Sequence, residues 1–184
     1  MQEEGQWGRF AGRPNLSLIG MPGCGKSTVA RQLSEILGVP YVDTDKVIVS
    51  RYGQSIAEIF ATQGEEVFRR LESAVLAEVL AGEGQIVATG GGCVERPENR
   101  RLLQQRSFVV WLDPPLPMLL SRLRQETDRP LLAKGDPGLV MEQLNRRRRP
   151  LYRFADLHLA IGREGSSGAV GRLAALFSMA RSSD

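Results

Sequence analysis

Short apolar runs that end in glycine or an acid alternate along this chain with longer stretches of helical spacing. The run from Asn15 to Gly20 (NLSLIG) reads as a strand. STVARQLSEILG follows it, with apolar positions at Val29, Leu33, Ile36 and Leu37 and a stop at Gly38, the spacing of an amphipathic helix. A short strand at Pro40 to Asp43, helices across Asp45 to Leu80, a strand at Gln85 to Thr89, a helix near Pro97 to Gln105 and the strand Phe108 to Asp113 continue the alternation. A helix around Leu116 to Gln125, a polar stretch from Glu126 to Pro137, a helix carrying Arg146 to Arg149, a strand at Leu157 to Ile161 and a helix starting near Ser167 complete it. Strands interleaved with helices predict an α/β fold with a mostly parallel sheet covered on both faces. No repeat or inter-domain linker interrupts the pattern, so residues 15–184 read as a single domain behind a flexible tail of residues 1–14.

The connection after the first strand carries the chemistry. Gly20-Met21-Pro22-Gly23-Cys24-Gly25-Lys26-Ser27 is a G-x-x-x-x-G-K-[ST] pattern placed between a predicted strand and a predicted helix, as its mechanism requires. Glycines let successive backbone N–H groups point at phosphate oxygens, the lysine reaches the terminal phosphates, the serine hydroxyl meets magnesium, and the helix N-terminus adds its dipole. Gly23, Cys24, Gly25, Lys26, Ser27 and Thr28 are therefore the expected nucleotide cradle.

Asp43-Thr44-Asp45 follows the second strand and opens at the same edge of the sheet. Read as extended backbone, it puts both carboxylates on one face, with Asp43 nearer a magnesium ion and Asp45 further out toward an acceptor. A kinase acting on an alcohol needs a carboxylate to orient the hydroxyl and take its proton, and Asp45 is the candidate. Either acid could also cap the next helix. Gly90-Gly91-Gly92, directly after the strand QIVAT, lets backbone approach a ligand closely or else forms a plain turn. The stretch Glu126 to Pro137 has the length and polarity of a lid, with Arg129 as the charge it delivers.

Composition narrows the partners. The chain has 184 residues with 42% hydrophobic and 24% charged positions, an ordinary globular mixture. The net charge of +3 suits an anionic substrate and is too small to demand nucleic acid. The run Arg146 to Arg149 lacks interleaved aromatics and is weak support for a polyanion site. No segment has the apolar length of a membrane span, and the N-terminal stretch lacks a signal-peptide core, which fits a cytoplasmic enzyme. Two cysteines and one histidine exclude a disulfide framework and structural zinc. Cys24 sits in the phosphate loop at a helix N-terminus, so its alkylation is expected to be faster without nucleotide. Cys93 follows the triple glycine. His158, in an apolar strand, reads as structural.

GMPGCGKST, DTD, FRRLE, GGG, DRPLL and RRPLY occur in this order, and from about Leu16 to the C-terminal helix the chain resembles the shikimate kinase family. That resemblance implies a nucleoside-monophosphate-kinase-like fold with a five-stranded parallel sheet, a monomer, and magnesium-dependent transfer of the ATP γ-phosphoryl group to the 3-hydroxyl of shikimate. It makes Arg69 and Arg148 ligands of the shikimate carboxylate, Gly90 to Gly92 a contact to shikimate near the γ-phosphate, and residues of about 45–72 the substrate-binding region. It assigns Arg129 to the closing lid and Arg122 to nucleotide. In FRRLE an apolar stripe of Phe68, Leu71, Val75 and Val79 leaves Arg69 about 100° from Phe68 around the helix, free to reach out of the core. IGREGSSG does not align closely with an adenine-contacting loop, so Arg163 is a candidate only for stacking on the base. A P-loop kinase of another small hydroxy acid such as gluconate, or a nucleotide-binding module without phosphotransfer, are the competing readings.

Overall fold

Each apolar run becomes one strand of a single five-stranded sheet in the computed structural model, which describes residues 13–123 and 136–181. In chain order the elements are β1 (Asn15–Ile19), α1 (Lys26–Leu37), β2 (Tyr41–Asp43), α2 (Thr44–Tyr52), α3 (Ile56–Gln63), α4 (Glu65–Ala81) and β3 (Ile86–Ala88). There follow α5 (Pro97–Arg106), β4 (Ser107–Asp113), α6 (Leu116–Leu123), α7 (Pro137–Arg148), β5 (Leu157–Ala160) and α8 (Gly165–Arg181), with short 3-10 turns at Cys93–Glu95 and Arg149–Tyr152.

All strand pairs are parallel, in the order β2-β3-β1-β4-β5. The first crossover carries the chain from β1 to the β2 side, and a later one brings it back past β1 to β4. The end of β1 is thus a switch point where loops diverge and leave a crevice. Asp43 pairs with Ala88, and Ala88 with Leu18, so the loops after β1, β2 and β3 leave the sheet at one level.

β1 is buried along its whole length, as a central strand of a two-sided sheet must be. Its polar residues are satisfied within the layer: Ser17 and Ser107 share a 2.7 Å hydroxyl contact, and the Asn15 amide donates to the carbonyls of Gly82 (2.8 Å) and Arg106 (3.2 Å). The main core lies between this sheet and its covering helices. A smaller cluster of Ile48, Ile59, Phe68 and Val75 packs α2, α3 and α4 together.

Local rules explain most boundaries. Gly25 (φ 99°) and Gly38 (φ 66°) flank α1, Ser55 and Glu58 form a reciprocal capping box on α3, and Asp136 caps α7 with Pro137 at its first turn, each a standard helix signal. The helical region expected across Asp45 to Leu80 is three helices, interrupted at Gly53 and Gly64. The helix carrying the arginine run ends at Arg148, and Arg149 belongs to the 3-10 turn. The last helix begins at Gly165, two residues before Ser167. Arg13 and Pro14 are tied to the domain: Arg13 donates to the Ser107 carbonyl and pairs with Asp156, and the Pro14 carbonyl accepts from Gly84. Residues 126–135 of the expected lid lie outside the described residues. No described helix is long and apolar enough to cross a membrane.

Asn15 gives this fold a direct test. Removing a buried amide that joins two turns leaves the Gly82 and Arg106 carbonyls without their donor, so Asn15→Ala should lower unfolding free energy by about 1–3 kcal/mol. Urea denaturation with an unchanged slope and a lower midpoint is the expected result, and an unchanged midpoint would contradict it.

Candidate active site

The phosphate loop is closed by steric constraint. Gly20 has φ +145°, and a Cβ there would lie 2.5 Å from the Leu112 carbonyl oxygen and 2.8 Å from the Cys24 sulfur; Gly25, at φ +99°, has Ser166 Oγ 2.6 Å from the Cβ position. Only glycine fits such backbone. Lys26 is buried, and its Nζ donates to the carbonyls of Gly20 and Met21 at 3.0 Å each, so its charge sits inside the curl of the loop. Ser27 and Thr28 are exposed on the first turn of α1. Arg122, from α6, donates to the Gly23 carbonyl at 3.2 Å, which places a second cation beside the loop. Arg163 is exposed on the turn before α8. Ser166 flanks the loop without a sequence signal beyond its place at a helix start.

Cys24 is only 1% exposed, with its sulfur against Gly20 and Lys26. The expected alkylation is therefore corrected, because the thiol faces inward and is shielded from reagent. Cys93 is buried too, and that burial pushes its thiol up to about 12.

The extended-face reading of Asp43 and Asp45 is also corrected. The strand ends at Asp43, and Asp45 is already in α2. Asp43 is the helix cap, its Oδ1 accepting from the backbone N–H groups of Asp45 (3.1 Å) and Lys46 (3.3 Å). Capping turns Asp45 onto the triple-glycine loop: its Oδ1 lies 2.7 Å from where a Gly90 Cβ would be, and Glu72 Oε1 lies 2.5 Å from the same point. The intervening Thr44 accepts the Gly90 N–H at 3.1 Å. That N–H is thus spent on the fold, and the glycines are required by close packing. A Cβ on Gly91 would meet the Pro22 ring at 2.8 Å, and one on Gly92 would fall on the Arg69 guanidinium. The Gly91 carbonyl accepts from the Tyr152 hydroxyl at 2.8 Å.

Arg69, which the helical wheel turns away from the apolar stripe, is shielded from solvent all the same. It is 6% exposed, with NH1 2.7 Å from Glu72, NH2 3.1 Å from Glu65 and NH2 3.4 Å from Glu95. The wheel gives the direction of its Cα–Cβ bond, but Gly92 and Glu95, on the loop after β3, lie against its guanidinium. Although burial pulls its pKa down, Glu72 and the other acids hold Arg69 above its ordinary value and keep it charged. Burial raises Glu72 to about 7, with the Arg69 charge only partly opposing. Glu72 is the last residue of FRRLE, one turn after Arg69, and that spacing was the available signal for it.

Arg148 is 0% exposed. Its Nε donates to Glu95 Oε1 at 2.9 Å, while NH1 and NH2 have no hydrogen-bond partner among the described residues. Buried polar groups are normally satisfied, so two adjacent guanidinium nitrogens left open inside the protein mark a place for an anion. The other three arginines of the run are surface charges: Arg146 pairs with Glu142, Arg147 with Glu95, and Arg149 makes two bonds to Asp113 at 2.9 and 2.7 Å. His158, expected within an apolar strand, is exposed. It stacks on Trp111 (4.1 Å between centroids) and meets Asp113 at 2.8 Å, a structural role at the sheet edge. Arg129 lies outside the described residues.

Comparison with known proteins identifies the family. The family model described as Shikimate kinase matches residues 22–174. The shikimate kinase of Synechococcus elongatus is 48% identical over 147 residues, covering 80% of this chain and 77% of that one; that of Symbiobacterium thermophilum is 46% identical over 140 residues, covering 75% and 80%. A solved shikimate kinase from Acinetobacter baumannii in complex with shikimate superposes with a TM-score of 0.86 at 34% identity, covering 91% of this chain and 94% of that one. A gluconokinase from Sinorhizobium meliloti, at 16% identity and a TM-score of 0.54, shares only the fold.

The buried Glu72 makes stability depend on pH with a definite sign. Its folded pKa of about 7 lies above the ordinary value of 4.5, so the folded state holds more protons between these values and loses stability as pH rises through them. Urea denaturation from about pH 5 to pH 8 should show wild type losing stability relative to Glu72→Gln as pH rises. Parallel profiles would contradict the assignment.

Proposed function

The chain belongs to the shikimate kinase family, and we propose that it transfers the γ-phosphoryl group of ATP to the 3-hydroxyl of shikimate, giving shikimate 3-phosphate and ADP. The observation that carries the reading is the open, buried edge of Arg148, whose charge acts on Glu72, the neighbour that Asp45 meets at Gly90. Two adjacent guanidinium N–H donors match a carboxylate, which shikimate and gluconate both carry, and the family match favours shikimate.

In this reading Gly23 to Thr28 and Lys26 hold the triphosphate, Arg122 supports it from α6, and Arg163 is the candidate for the base. Arg69 and Arg148 take the shikimate carboxylate, and Gly91 and Gly92 form the wall beside them. With the ring fixed at that end, Asp45 orients the 3-hydroxyl toward the γ-phosphorus and accepts its proton as the O–P bond forms and the bond to the ADP oxygen breaks. Ser27 and Asp43 fit magnesium, being a hydroxyl and a carboxylate, the hard oxygen donors that this ion takes alongside substrate phosphates. When bound, the ion neutralises charge on the phosphates. Arg129 completes the charge around the transferred group on lid closure, which also excludes water that would hydrolyse ATP.

The arginine run argues against a nucleic-acid partner, because Arg146, Arg147 and Arg149 are paired with acids and Arg148 is buried. We take the enzyme to act as a cytoplasmic monomer on small-molecule substrates, without a membrane partner.

Purified protein with magnesium and ATP should release ADP strongly on addition of shikimate and not on addition of gluconate; release with gluconate alone would overturn the assignment. Asp45→Asn should lower kcat by about 100-fold or more while leaving the KM for ATP within about twofold. Steady-state kinetics with full turnover in the variant would remove Asp45 as the base.

A further inference from the structure

Glu95 lies where the loop after β3 turns into α5, and none of the sequence motifs gives it a task. Its carboxylate joins the arginines of two separate helices: Oε1 accepts from Arg148 Nε at 2.9 Å and from Arg147 at 2.6 Å, and Oε2 lies 3.4 Å from Arg69 NH2. The backbone that carries it is pinned. Its own N–H donates to the Gly92 carbonyl (3.0 Å), Arg100 donates to the carbonyls of Val94 and Glu95, and Asn99 donates to that of Cys93 (2.9 Å). Burial alone would raise the Glu95 carboxyl, but Arg148, Arg69 and Arg147 hold it below its ordinary value, and it remains an anion.

This placement has a geometric consequence. Capturing Nε fixes the plane of the Arg148 guanidinium and leaves NH1 and NH2 as its open edge. The same carboxylate, through its other oxygen, sets the separation between Arg148 and Arg69. Resting on the reading that these two arginines take the substrate carboxylate, we infer that Glu95 is a positioning and specificity residue that aligns Arg148 and Arg69 into one carboxylate receptor. Arg147 is largely solvent-exposed and contributes only at the rim; an exposed pair of this kind is worth little by itself.

Four variants test this in the full chain: Glu95→Ala, Glu95→Gln, Arg147→Ala and Arg148→Ala, each measured for the KM of shikimate, the KM of ATP, kcat and thermal stability. A hydrogen bond to a charged group supports the expectation that Glu95→Ala raises the KM of shikimate about tenfold, with kcat and the KM of ATP within about twofold. Glu95→Gln keeps an acceptor for Nε and should recover most of the loss, and Arg147→Ala should stay near wild type. A merely structural role would move both KM values and kcat together, and that result overturns the inference. So does a shikimate KM that is unchanged or lower in Glu95→Ala while Arg148→Ala raises it, or a glutamine variant no better than alanine. If Arg148→Ala itself leaves the shikimate KM unchanged, the carboxylate assignment fails, and the role of Glu95 falls with it.

Discussion

Two guanidinium groups held out of water beside the phosphate loop are the constraint around which the rest of this protein is arranged. A charge removed from solvent is costly unless partners replace the lost hydration. Arg69 meets that requirement within the chain, through Glu72, Glu65 and Glu95. Arg148 does not, since Glu95 takes only its Nε. In the proposed reading, an incoming carboxylate completes what the described residues leave incomplete at Arg148. The acids that make Arg69 tolerable also have their own consequences, as the raised pKa of Glu72 shows.

The parallel sheet brings this network to the nucleotide. Loops after β1, β2 and β3 leave at one level, so the lysine-bearing curl, the capped start of α2 and the triple glycine share one crevice. Close packing does the rest: Gly90, Gly91 and Gly92 admit Asp45, Pro22 and Arg69 respectively against bare backbone. Asp43 caps α2 through one oxygen and so fixes the direction of Asp45. The two acids of DTD point to different places because a strand ends and a helix begins between them, Asp43 onto the first turn of α2 and Asp45 onto the triple glycine.

Much of this was legible in the sequence. The G-x-x-x-x-G-K-S pattern works through backbone geometry that its own residues dictate, and apolar periodicity located all five strands to within one or two residues of their observed ends. Arg148 was distinguishable from its neighbours only by its place in RRPLY. What escaped the sequence depends on tertiary cover. A helical wheel places Arg69 at an angle to the core stripe but knows nothing of the loop carrying Gly92 and Glu95 that closes over it. Glu95 is one acid among 21 acidic residues until the loop after β3 is folded against α4 and α7. The DTD reading failed at a single boundary, since propensity does not say whether Thr44 continues the strand or opens the helix, and an N-capping aspartate decides it.

The most direct test of the account is a crystal structure of the protein soaked with shikimate alone. The substrate carboxylate should lie within hydrogen-bonding distance of NH1 and NH2 of Arg148, with Arg69 on its other side and the 3-hydroxyl turned toward Asp45. A shikimate molecule bound with its carboxylate away from Arg148, and that buried edge still without a partner, would contradict it.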